Sequence, residues 1–124
     1  MENKNRQLII AGLIGFLAVA VGAFGAHGLK NVLSERMLQT YNTGVLYHLV
    51  HSVVLLAIAL TNLGKFYKAF LFFFIGIVLF SFSLYFYSIS GIALLAFITP
   101  IGGISLLIGW ALIFLHGLKN QQFI

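Results

Sequence analysis

Hydrophobic residues along this chain fall into four long runs separated by short polar breaks. The first is Leu8 to Ala26, the second about Val45 to Leu63, and the third Ala69 to about Ser90. The fourth ends near His116 and holds the single proline, Pro100. A bilayer core is crossed by roughly 20 helical residues, with about 17 to 25 tolerated, and each run meets that length. A helix satisfies its backbone polar groups within one segment, which hydrocarbon demands. The pattern predicts an all-α fold, an integral membrane four-helix bundle built as one transmembrane domain over residues 1–124.

The fourth run admits two readings. Thr99-Pro100 reads as an N-cap followed by a first helical residue, where proline's missing N–H costs nothing. Helix four then covers 100–116, with Gly117 as its stop and Lys119 beyond. Its 17 residues rise about 25 Å, and Ile92 to Ile98 lie at the membrane interface or against the bundle. The rival is one helix from Gly91, kinked at the proline.

Small residues are not scattered. Ala11, Gly15, Ala18, Gly22 and Gly25 recur at spacings of four, three, four and three, one stripe of a helix. Gly102, Ser105 and Gly109 repeat the device in the fourth run. Small residues let two backbones approach closely in lipid, so helices one and four are expected to pack stripe against stripe. The plainer account is that glycine is common in membrane helices. Gly28 suits a left-handed turn at the membrane exit. From Leu29 to Thr43, Leu29, Val32, Leu33, Met37 and Tyr41 share one face. That stretch reads as a short amphipathic helix, lying on the outer surface or leading straight into the second span, or as a solvated connector.

Composition narrows the class. Of 124 residues, 61% are hydrophobic and 7% charged, against roughly 25% charged in soluble domains. No cysteine is present, which excludes disulfides and thiolate metal sites. The net charge of +5 does not point to nucleic acid, because the Lys and Arg residues sit at the ends of apolar runs as membrane anchors. Lys4, Arg6, Lys65, Lys68 and Lys119 fall on one side, and Lys30 and Arg36 on the other. Five against two places both termini in the cytoplasm of a multi-pass cell-membrane protein. The basic start resembles a signal peptide, but the first run is longer than an ordinary apolar signal core and three more follow. A retained first helix is expected.

Ionisable groups inside spans are functional candidates by default. Asp is absent, and Glu2 and Glu35 lie outside the runs, which argues against carboxylate-driven transport of the kind used by small multidrug exporters. Histidine remains. His48 and His51 are three apart on one face in the outer half of helix two, and His27 ends helix one. Ser83 and Tyr85 fall in the outer half of helix three, and Thr99 begins helix four. These six are expected to meet at one membrane level. Interhelical hydrogen bonding with a tyrosine belt is one reading. A proton or solute path through His48 or His51 is another. A metal or bis-histidine haem site on His27, His48 and His51 is a third, with no carboxylate or thiol to complete its shell. The first is preferred, so neither metal nor cofactor is expected. His116, at the opposite surface, reads as a cap for helix four. No nucleophile, base and acid assemble, so the chain is expected not to be an enzyme.

GAFGAHGL at 22–29, YHLVH at 47–51, LFSFSLY at 79–85, TPIGG at 99–103 and GW at 109–110 together resemble a known family. It is the small bacterial membrane protein family called domain of unknown function 423, which has relatives in mitochondria-bearing organisms. The resemblance covers nearly the whole chain. It implies four transmembrane helices and an inner-membrane location, and it carries no activity with it. Gly22, Gly25, His27, His51, Ser83, Tyr85, Thr99, Pro100, Gly102, Gly103 and Trp110 match the family's pattern. His48 stands outside it, which weakens a two-histidine metal site. Phe82 stands where the family often has glycine, which implies looser packing of helix three.

The resulting expectation is a non-enzymatic protein acting through helix packing and membrane partners: lipids, further copies of itself or other membrane proteins. The alternative is a small transporter or channel-like protein working through the polar cluster around His51.

Overall fold

The structure, a computed structural model, describes residues 2–121. Helix α1 is Glu2–Gly28 and α2 is Glu35–Thr61. The third span is one rod in four pieces: a 3-10 turn Gly64–Phe66, α3 Tyr67–Ile77, a π-helical turn Val78–Phe82 and α4 Ser83–Ser90. Helix α5, Ala93–Lys119, completes the bundle. Four spans of this length and apolarity can cross a membrane, and a 27-residue helix is about 40 Å long, more than the roughly 30 Å core.

Two boundaries differ from the sequence reading. Helix two begins at Glu35, because Ser34 caps it by accepting a hydrogen bond from the Met37 N–H at 3.2 Å and Glu35 complements the helix dipole. The stretch 35–43 therefore leads straight into the second span and is neither a connector nor a separate surface helix. It is the first third of α2. Helix four does not start at Pro100 but at Ala93, with the proline inside. Membrane helices tolerate that arrangement where local adjustments re-satisfy the freed carbonyl, and Pro100, the eighth residue of α5, lies on an exposed face.

Chain reversals also depart from expectation. Gly28 keeps its place as the last residue of α1, and Gly117 lies within α5. Left-handed dihedrals occur instead at Asn62 (φ 53°), which ends α2, and at Gly91 (φ 71°), which ends α4. Gly91 needs no side chain sacrificed to adopt that conformation.

The small-residue stripes are packing surfaces, but they do not face each other. Helix α1 packs along α2, and α5 packs along the third span. A methyl at Gly22 would come 3.2 Å from Val45, and one at Gly25 would collide with the Tyr41 ring. On α5, a methyl at Gly102 would lie 2.6 Å from the Leu79 carbonyl carbon, and one at Gly109 would lie 2.7 Å from Phe73. The reason for the mispairing is connectivity. A short turn makes α1 and α2 antiparallel neighbours, and the two-residue link 91–92 does the same for α4 and α5. Each stripe meets its chain neighbour.

The core joins all four spans through Ala11 and Ile14, Leu55 and Ile58, Phe70, Phe73 and Ile77, and Leu106. Looser packing of the third span, expected from Phe82, is not what the structure has. Its neighbours supply the missing glycines: Gly102 of α5 meets the backbone of the π-helical turn, and a methyl at Gly44 of α2 would lie 3.1 Å from the Ser81 carbonyl.

Candidate functional site

The polar side chains do not form one cluster. His48 is the midpoint of α2, Glu35–Thr61, and His51 lies one turn further along it. Their side chains then diverge to different helices.

His48 is completely buried. Its Nε2 lies 2.8 Å from the Ile14 carbonyl of α1 and its Nδ1 2.8 Å from the Tyr85 hydroxyl of α4. A carbonyl only accepts, so Nε2 carries the proton, and in a neutral ring Nδ1 accepts from Tyr85. Ala11, Gly15 and Ala18 lie around Ile14 on the α1 stripe, and small neighbours leave its carbonyl within reach. Tyr41 completes the knot. Its ring sits 5.1 Å from that of Tyr85, and its hydroxyl donates to the Val21 carbonyl at 2.6 Å. One polar assembly thus ties α1, α2 and α4.

His51 has the opposite tautomer. Its Nδ1 donates to the Tyr47 carbonyl one turn back on its own helix, at 2.8 Å. Its Nε2 accepts from the Trp110 indole N–H at 3.1 Å. Phe73 packs edge-on to Trp110 at 5.1 Å. Trp110 itself is 45% exposed, so this pair sits at the edge of the bundle. It floors a cleft of about 500 Å³ between α2 and α5, walled by Tyr47, Phe80, Pro100 and Leu107. Small-ligand sites have this size and this mainly apolar lining.

Of the other expected members, Ser83 and Thr99 pair at 2.6 Å. Each hydroxyl also reaches a backbone carbonyl of its own helix, Ser83 that of Phe80 at 2.9 Å and Thr99 that of Leu95 at 3.4 Å, so either can donate across the pair. His27 is exposed and takes no part. Its expected place in the cluster is wrong because α1 carries its side chain to the outside of the bundle. Thr99 does not begin a helix but stands within α5. His116 lies at the other end, where its carbonyl accepts from the Asn120 side chain at 2.9 Å. Among the described residues no group of three or more metal-ligating side chains gathers, and the divergence of His48 and His51 separates the only embedded pair.

Tyr41, Ser52 and Ser81 are additional buried polar members. Ser52 donates back to the His48 carbonyl at 2.7 Å. The Ser81 hydroxyl has no hydrogen-bond partner among the described residues. Tyr41 was findable: Tyr41, Gly44, His48 and Leu55 continue one helical face once α2 is extended to Glu35.

A polar interior tied helix to helix, wrapped in exposed apolar side chains from Ile9 to Leu118, defines the class: a multi-pass integral membrane four-helix bundle. The family model described as "Protein of unknown function (DUF423)" matches residues 21–103. The chain is 40% identical to the UPF0382 membrane protein YwdK of Bacillus subtilis (strain 168) over 117 residues, covering 90% of this chain and 95% of that one. It is 40% identical to a UPF0382 membrane protein of Haemophilus influenzae over 122 residues, covering 96% and 98%. With the UPF0382 inner membrane protein YgdD of Escherichia coli (strain K12) it shares 39% identity over 120 residues, covering 94% and 92%. The chain belongs to the DUF423 family. No solved structure matches it.

Proposed function

We propose that this is a non-enzymatic membrane protein that acts through the faces its bundle presents to lipids and to other membrane-embedded chains, copies of itself included. The observation supporting this is that both ring nitrogens of His48 and of His51 are engaged within the bundle. Neither imidazole offers a free lone pair to a proton or a metal, and the cleft beside His51 is walled by apolar side chains that suit a lipid tail. Reconstitution into liposomes holding a pH-sensitive dye tests it. Proton leak should equal that of protein-free liposomes, for the natural sequence and for His51→Leu alike. A flux that His51→Leu abolishes would overturn the reading.

The proposed orientation has both termini in the cytoplasm. Five of the seven Lys and Arg residues then lie on the cytoplasmic side, as the positive-inside rule requires. The chain has no cysteine, so single introduced cysteines report cleanly. Those at Asn5 and Gln121 should resist an impermeant thiol reagent in intact cells, and one at Ser34 should react. The reverse pattern sinks the orientation.

A further inference from the structure

A second pocket, of about 200 Å³, lies where the third span begins and α5 ends. Three lysines line it: Lys65 in the 3-10 turn, Lys68 in the first turn of α3, and Lys119, the last residue of α5. Among the described residues no carboxylate does. Of the chain's two acids, Glu35 starts α2 at the opposite end of the bundle. The helix ends oppose each other here: the third span points its positive end at the pocket and α5 its negative end. The lysines therefore set the sign. The His116 ring has its Nδ1 3.4 Å from the Asn120 amide nitrogen and packs edge-on to Phe66 at 5.2 Å. The inner wall is apolar, formed by Leu112 and Leu115.

Cations at the rim and aliphatic side chains below them, at the point where helices leave the membrane, match one chemistry. We infer that this pocket binds an anionic phospholipid, with the phosphate held among Lys65, Lys68 and Lys119 and the first part of an acyl chain lying on Leu112 and Leu115. Basic pockets between helices at the membrane surface recognise such headgroups. The ammonium groups are exposed, so the attraction is strongest at low ionic strength. The inference does not depend on the absence of proton flux or on the orientation of the termini.

The test uses the full chain purified in detergent and titrated with phosphatidylglycerol, phosphatidylcholine or inorganic phosphate, with bound molecules counted by native mass spectrometry. Phosphatidylglycerol should be retained at one per chain, and phosphatidylcholine should not. Each single change among Lys65→Gln, Lys68→Gln and Lys119→Gln should weaken retention about fivefold, the equivalent of about 1 kcal/mol per surface lysine. The triple glutamine variant should lose it, and the triple arginine variant should keep it. Lys30→Gln with Arg36→Gln, at the other end, should change nothing. If the triple glutamine variant fails to fold, the single variants decide. Equal retention of both lipids, full retention by the glutamine variants, or saturation by inorganic phosphate alone would each overturn the inference.

Discussion

His48 and His51 stand one turn apart on α2, yet the bundle treats them differently. His48 is enclosed by three helices, with its Nε2 on a backbone carbonyl of α1 and its Nδ1 on a tyrosine of α4. His51 turns toward α5, bonds its own helix through Nδ1, and meets a half-exposed tryptophan through Nε2. The first ring is a joint between helices and the second is an edge contact beside a cleft. Their difference teaches that position in a membrane helix does not set a histidine's role. What matters is whether its partners have any other source of hydrogen bonds.

The largest effect should follow from removing the enclosed ring. His48→Leu leaves the Tyr85 hydroxyl buried without its acceptor, and an unsatisfied buried group costs about 1–3 kcal/mol. Unfolding in detergent should show a loss of about 2 kcal/mol. A double-mutant cycle with Tyr85→Phe should return a coupling of about 0.6–1.7 kcal/mol, the range measured for interhelical hydrogen bonds in membranes. A loss no greater than that from His51→Leu would erase the distinction between the two sites.

Gly102→Ala comes next, because it acts on the seam that carries the Trp110 contact. Its methyl would meet backbone atoms of Leu79 and Phe80, which cannot swing aside, and overpacking typically costs about 1–3 kcal/mol. At Gly103 the nearest atom is a phenylalanine ring carbon 3.7 Å away, so Gly103→Ala should be neutral in the same melting experiment. Similar melts for both variants would mean that the approach of α5 to the π-helical turn does not limit packing.

His51→Leu should cost about 1 kcal/mol, since Tyr47's carbonyl keeps its helical partner and the indole N–H sits at the rim. His116→Leu, where water is at hand, should cost less, and the reverse order would put the energetic centre at the wrong end of the bundle. The smallest effect is expected at Ser81, whose buried hydroxyl has no partner among the described residues. Ser81→Ala removes that hydroxyl at little cost in packing, so stability should hold or rise slightly. A clear loss would reveal a partner, such as a bound water.

Much of this was legible residue by residue. The four runs marked the four spans because hydrocarbon accepts only self-satisfied helices of sufficient length. The small stripes marked close-packed faces, because only small side chains let backbones meet. Ser83, Tyr85, Thr99 and both embedded histidines were identified as polar groups in need of partners, and each has one. What was not legible depended on pairing. Nothing in the spacing of Gly22 and Gly25 says that α2 will cover them, and nothing in VLFSF at 78–82, which lacks both Gly and Pro, announces a π-helical turn.

The sequence alone determined the solvent this protein lives in, the number of its spans and the faces able to pack. Those follow from length, polarity and side-chain size, all local quantities. Tertiary structure alone decided that α1 lies on α2 and α5 on the third span, that Pro100 rides inside a continuous helix, and that His27 points away while Tyr41 points in. It also decided which ring nitrogen of each histidine carries a proton. A hydrogen bond inside a membrane needs a partner at the same depth and the right rotation about the helix axis. Depth depends on where each helix starts, and rotation on which neighbour it packs against. Ser34 starts α2 about ten residues before its apolar run, and that single cap puts Tyr41 on the same buried helix face as His48.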